Sequence, residues 1–251
     1  MKYIYRIMTD SSKFLEIIKQ KGTPEKAAVL SKFFKTGKGQ YGEGDKFLGL
    51  PVPLIRETIK PFRNMPLPEI MEILRSEWHE AREAALFIMA WQFSHSAEKE
   101  QERIFAAYLA NTQYINNWDL VDLSCPAIVG GWLMDRDRAV LRRLAKSSLL
   151  WNRRIAMVSC LKFIRGGENK TAFEIAEMLL GDREDLMHKS VGWMLRETGK
   201  YCSEADLLAF LQKHYSEMPR TALRYAIEKF PPEERKQLLK GFFYPSLRNV
   251  L

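Results

Sequence analysis

The chain has 251 residues, 46% of them hydrophobic and 12% aromatic, with 39 Lys and Arg against 31 Asp and Glu for a net charge of +8. That apolar content supports a substantial core, and the positive surplus points to a polyanionic partner, nucleic acid first. Three cysteines, Cys125, Cys160 and Cys202, stand far apart with no C-x-x-C or nearby histidine pair, which argues against a disulfide framework and a zinc site.

The N-terminal stretch "MKYIYRIMTDSSKF" lacks the apolar centre and small-residue cleavage site of a secretory leader. The longest clean apolar run, Ala84 to Trp91, is too short to span a bilayer. A cytoplasmic protein of the bacterial cytosol or nucleoid, with no membrane partner, is expected. "AAVLSKFFKT" reads as helix, and "GKGQYG", Gly37 to Gly42, follows it. Those glycines match G-x-G-x-x-G, but the dinucleotide fingerprint needs a strand before it and a helix opening at it. Here a helix precedes and the loop "EGDKFLGLPVP" follows, so a long connection is expected instead of a nucleotide site.

Further along, "LPEIMEILRSEW", "REAALFIMAWQFS", "AVLRRLAKSSLL", "NRRIAMVSCLKFI", "NKTAFEIAEMLLG" and "MHKSVGWMLRETGKY" carry apolar residues at spacings of three and four, which predicts helices. No segment alternates as a strand would. Breaks are expected at "RGGEN", "GDRED", "EMPR" and "FPPEER". Arg82, Trp118, Arg154, Lys189 and Arg220 recur at intervals of 36, 36, 35 and 31 residues. Two-helix repeats of this length predict an all-α, α-solenoid architecture of HEAT-like antiparallel helix pairs. A single domain over 1–251 is expected, with N-terminal helices in 10–60 around a Gly-rich loop at 36–50 and helix-pair repeats from about 66 to 240.

Equivalent positions in successive repeats line one surface, so the recurring residues predict a basic stripe on a concave face, suited to a phosphate backbone. The alternative is that such residues serve solubility and neighbouring salt bridges. The histidines, His79, His95, His188 and His214, form no i, i+4 pair and are expected at the surface or at helix ends. No serine sits in a G-x-S-x-G context, so ordinary nucleophilic catalysis is not indicated.

Trp118 and Asp122, four residues apart in "NNWDLVD", would share one helix face. "LLWNRRIA" places Arg153 and Arg154 after Trp151, and "VGWMLRETG" places Trp193 three residues before Arg196. If second helices pack side by side, Asp122, Arg154 and Trp193 converge on one cleft. Indole faces attract cations, carboxylates stabilise positive charge and arginines grip phosphates. This group set suits N-glycosidic cleavage of an alkylated, cationic base through an oxocarbenium-like state. The alternative for both indoles is interhelix core. Asp119 is assigned to the helix N-terminus, while Asp122, in a helix interior, has no capping role.

The blocks "KFLGLPVPLIR", "NNWDLVDLSCPAIVG", "LLWNRRIAMVS", "HKSVGWMLRETGK" and "MPRTALRYAIEKFP" closely resemble the AlkD-like DNA alkylation repair proteins, HEAT-like-repeat DNA glycosylases, from about Pro24 to Arg235. The resemblance implies excision of positively charged N3- and N7-alkylated purines from duplex DNA by a monomer. It implies no metal, no organic cofactor and no deep base flipping. It places the catalytic set at Asp122, Trp118 and Trp193 and a DNA contact at Arg154; the basic positions read from the repeats add Arg153, Lys189, Arg196, Arg220 and Arg224 as expected DNA contacts. The family's N-terminal tyrosine has Phe33 and Phe34 as its nearest match here, with Tyr41 a possible substitute. That departure keeps two alternatives open: a DNA-structure binder without excision, and a solenoid scaffold for a protein partner.

Overall fold

The computed structural model describes residues 9–243, so part of the N-terminal stretch read for a leader lies outside them. The fold is all-α: among the described residues there is no strand, and one isolated bridge joins Lys46 to Trp78. No described helix is long and apolar enough to cross a membrane. The chain divides into two compact units, the first ending at Ile128 and the second beginning at Val129.

In the first unit, α1 (Asp10–Lys21) starts at Thr9, whose hydroxyl accepts the Ser12 N–H, and Pro24 opens α2 (Pro24–Phe33). A proline is favourable there because its missing N–H would be unsatisfied in any case. The segment from Phe34 to Leu50 then forms the expected long connection, with Gly39, Gly44 and Gly49 at positive φ. Gly49, at φ +88°, also sits where a Cβ would meet the Thr23 carbonyl oxygen at 2.3 Å, so only glycine fits. Next come α3 (Val52–Thr58), a 3-10 turn at Lys60–Phe62, α4 (Leu67–Leu74), α5 (His79–His95), α6 (Glu98–Ala110) and α7 (Trp118–Cys125).

The centre of this unit is α5. It packs against α3, α4, α6 and α7, and every residue from His79 to Met89 is buried. Its apolar run "AALFIM" supplies contact on all sides, as a helix enclosed by neighbours requires. Around it Phe14, Ile18, Ile55, Ile70, Leu74 and Leu120 are fully or almost fully buried, each stabilising by roughly 1.5–3 kcal/mol. The helix begins three residues before the expected "REAAL" because polar groups at its first turn are themselves buried, a point taken up below.

In the second unit, α8 (Ala139–Ala145) pairs with α9 (Leu150–Ser159), and α10 (Leu161–Arg165) follows after Cys160, splitting what the sequence predicts as one helix. Then α11 (Lys170–Leu179) pairs with α12 (Asp185–Tyr201), which packs on α9, α13 (Glu204–His214) and α14 (Arg220–Ala226) before α15 (Pro232–Leu238) closes the series. Within this unit α8 meets α11, while α9 meets α12 and α12 meets α14, so successive helix pairs stack in two rows. The predicted breaks at 165–169, 181–185, 217–220 and 230–235 all fall at helix junctions or first turns.

Candidate functional site

The Trp118 and Asp122 pair lies on one short helix. Asn117 caps it, its Oδ1 accepting the Trp118 N–H at 2.8 Å, and α7 runs from Trp118. Leu120, Val121, Ser124 and Cys125 are buried in the core, while Trp118 and Asp122, one turn apart, are half-buried. Trp118 is neither free nor core: its ring stacks on Phe34 at 5.2 Å and 25°, and Phe33 meets it edge-on at 6.1 Å. Phe33 is 61% exposed, so the aromatic cluster reaches the surface beside the indole. Tyr41, the proposed substitute for a tyrosine, stands in the glycine-rich connection with Lys35 over its ring at 5.9 Å.

Asp119 behaves differently from its neighbour. It lies in the first turn of α7, as expected, but is buried, and its Oδ2 is 2.8 Å from His79 Nε2. The other ring nitrogen of His79 is 2.7 Å from Asp45 Oδ2, and Arg82 donates to Asp45 Oδ1 at 2.5 Å. Burial alone would strip the charge from His79, but hydrogen bonds to Asp119 and Asp45 outweigh it and push its pKa up to about 9. Burial works against ionised Asp45 too, yet His79 and Arg82 hold its carboxyl below the ordinary value. The result is an alternating acid, base, acid chain tying the glycine-rich connection to α5 and α7.

Two further carboxylates on α5 join this cluster. Glu80 accepts the backbone N–H groups of Leu48, Gly49 and Leu50 at 2.8, 2.7 and 3.1 Å, clasping the "FLGL" loop. Glu83 is buried with no hydrogen-bond partner for Oε1, and burial, helped by the nearby Asp119 charge, raises its pKa to about 8. Donor atoms of His79, Glu83 and Asp119 lie within 4.8 Å of one another, a spacing a metal could bridge. Both ring nitrogens of His79 already face carboxylates, however, so the protonated ring has no lone pair to offer a metal.

Sequence reasoning passed over this group. The histidines lie at helix ends in three cases, His79 opening α5, His95 closing it and His214 closing α13, and of these His79 and His214 are buried. The signal was present in "WHEAREAALF": four charged or titratable residues pressed against an apolar run, with His79 and Glu83 one turn apart.

The basic stripe is corrected at two positions, Arg82 and Arg154. Arg82 is 5% exposed, bound to Asp45 and to the Ser76 carbonyl, so it holds the fold together and is not at the surface. In the second unit Arg154 is also buried, its Nη1 donating to the Leu186 carbonyl at 2.8 Å. Arg153 grips Asp182 through Nε at 2.6 Å and donates to the carbonyls of Ser147 and Ser148. Lys189 pairs with Asp185 at 2.7 Å, and Arg196 pairs with Glu228 and Glu197. Trp193 is half-buried, its Nε1 donating to Glu197 Oε1 at 3.2 Å. Arg220 and Arg224 are exposed, Arg220 donating to the Leu239 carbonyl. Cys125 and Cys160 are buried and Cys202 is partly exposed, and none of the three is in a disulfide among the described residues.

A sequence model of the family described as DNA alkylation repair enzyme matches residues 15–230. Among solved structures, the chain is similar to one described as a predicted DNA alkylation repair enzyme from Enterococcus faecalis, with 17% identity, a TM-score of 0.65, and coverage of 84% of this chain and 97% of that one. At that identity the likeness is one of fold. No curated protein sequence gives a significant match.

Proposed function

The chain belongs to the DNA alkylation repair enzyme family, and from that premise we propose that it is a monofunctional glycosylase, hydrolysing the N-glycosidic bond of positively charged N3- and N7-alkylated purines in duplex DNA. The observation that carries this reading is the α7 pair: Trp118 braced on Phe34 and Asp122 one turn away, both half-buried on a helix whose other residues except Leu123 are buried.

The chemistry asks little of the protein beyond electrostatics. An alkylated purine is already cationic, so the bond from the sugar C1′ to the base nitrogen breaks with its electron pair passing to the base, which leaves neutral. The sugar is left as an oxocarbenium ion, which the Asp122 carboxylate stabilises while orienting a water. That water adds to C1′ and gives up a proton, leaving an abasic site. The faces of Trp118 and Trp193 contact the lesion-bearing nucleotide, because indole attracts a cation most strongly of the aromatic side chains. The exposed Arg220 and Arg224 and the partly exposed Arg153, Lys189 and Arg196 supply the phosphate contacts, while buried Arg154 braces α12 through the Leu186 carbonyl. No metal or organic cofactor enters these steps, and the protein works as a monomer in the bacterial cytosol.

The test is base release from duplex carrying 7-methylguanine or 3-methyladenine, measured against spontaneous loss. Wild-type protein should accelerate release, and Asp122→Asn should lose roughly a hundredfold or more of the rate while binding is largely kept. Release no faster than the uncatalysed background would sink the glycosylase assignment. A second reading, DNA-structure binding without excision, is favoured by one observation: the exposed aromatic beside Trp118 is Phe33, which has no hydroxyl to give a backbone. It predicts salt-sensitive binding and no release.

A further inference from the structure

Away from the Trp118 and Asp122 pair, the first unit holds a groove of about 560 Å³. Its cationic wall comes from Arg56 on α3 and from Lys60 and Arg63 in and after the 3-10 turn; its other wall is Phe87 and Trp91 of α5, with Leu123 of α7 at its edge. The three cations recur at i, i+4 and i+7, the spacing of one helical face.

Each arginine sits over an aromatic ring. The Arg56 guanidinium is 4.0 Å from the Phe87 centroid and that of Arg63 is 5.2 Å from Trp91. Stacking of this kind shields one face of the guanidinium, holds its plane and leaves its N–H edge to bond an anion bidentately, with less side-chain entropy to lose. Gln92 fixes the turn that carries Arg63, its Nε2 donating to the carbonyls of Arg63 and Met65, both at 2.8 Å. Neither arginine has an ion-pair partner among the described residues, and the buried Nε–H of Arg63 has no acceptor. The acid of the groove, Glu57, is already paired with Lys60 at 2.5 Å, and Lys21 adds to the positive field around it.

We propose that this groove grips a DNA phosphodiester, with Arg56 and Arg63 as the donors and Lys60 and Lys21 as supporting charge. The assignment rests on the reading that the chain acts on DNA. It extends that reading to residues outside the stripe of second-helix positions. Leu123 ties the groove to the lesion site, because it follows Asp122 on α7 and lines the edge of the groove. A phosphate seated against the arginines would carry its sugar across Leu123 towards Asp122. The contact is independent of base identity, so it positions DNA without selecting the lesion.

The experiment compares wild type with the double variant Arg56→Gln, Arg63→Gln, by fluorescence anisotropy on undamaged and alkylated duplex over a range of salt, with thermal unfolding to confirm that both are folded. Expected is a roughly ten- to hundredfold loss of affinity at low salt on both duplexes, and a fall of about 1 in the slope of log K against log salt, near 0.9 for the one phosphate contact removed. An unaltered slope and affinity overturn the groove and leave the DNA reading standing. Competition by a free mononucleotide at low concentration, in wild type but not in the variant, overturns the backbone assignment in favour of a small ligand. No duplex binding by wild type overturns both readings, whereas binding without base release overturns only the glycosylase.

Discussion

Asp119 and Asp122 stand three residues apart on α7, and burial with hydrogen bonding separates their roles. The Asp119 carboxylate faces protonated His79 in the interior, while Asp122 is half-buried beside the indole. Sequence position alone had assigned Asp119 to the helix end, which is where it lies; that it is also one end of a buried ionic chain followed only from the meeting of α5, α7 and the glycine-rich connection. The same reasoning gives Arg82 a structural task. Arg82→Met should cost about 3–5 kcal/mol in urea unfolding, because it leaves the Asp45 carboxylate buried with one partner fewer. Its effect on the salt dependence of DNA binding should be negligible, which separates it from a phosphate contact. Glu80→Ala should be of similar severity, roughly 3 kcal/mol or more, since it orphans the N–H groups of Leu48, Gly49 and Leu50 together. A loss under about 1 kcal/mol in either variant would contradict this account.

Among the elements, α12 and α14 show why a glycine stands beside Trp193. A Cβ at Gly192 would lie 2.3 Å from the Ala222 carbonyl oxygen and 2.5 Å from the Tyr225 Cβ, so the two helices approach backbone to backbone at that point. Gly192→Ala should therefore destabilise the second unit by roughly 1–3 kcal/mol through overpacking, although alanine is the better helix former. An increase in thermal stability would refute the close contact. The helices of this region were legible from their apolar spacing, and "VGWMLRETG" marked the position, but the cause of the glycine lies on another helix 30 residues away. The split of the predicted helix at Cys160, and the early start of α5, were hidden for the same reason: spacing reports which face is apolar, not where a neighbour ends it.

For the molecule as a whole, the buried protons of the first unit set a pH dependence. His79 has a folded pKa of about 9 against an ordinary 6.5, and Glu83 one of about 8 against 4.5. In both cases the folded state holds a proton that the unfolded chain would release, so stability falls as pH rises. The Glu83 contribution is lost between about pH 4.5 and 8 and that of His79 between about 6.5 and 9, which makes the decline steepest where the windows overlap. Asp45 acts in the opposite sense, its contribution being lost as pH falls below the ordinary carboxylate value of 3.8. Urea midpoints measured from pH 5 to 9.5 should drop across that alkaline range, and Glu83→Gln should flatten the earlier part of the drop. A pH-independent midpoint would rule out the protonated cluster.

Helical periodicity, the repeat of about 36 residues, the net positive charge and the Trp118–Asp122 spacing are properties of local chain order, and the sequence by itself determined them. The partition of charged residues was decided by tertiary structure. Of residues equally basic on paper, Arg82 and Arg154 are buried, Arg153 and Arg196 are paired with carboxylates, and Arg56 and Arg63 sit over aromatic rings beside a groove. A charge's task depends on its desolvation and its nearest partners, and those partners come from other helices, at separations that no local pattern encodes.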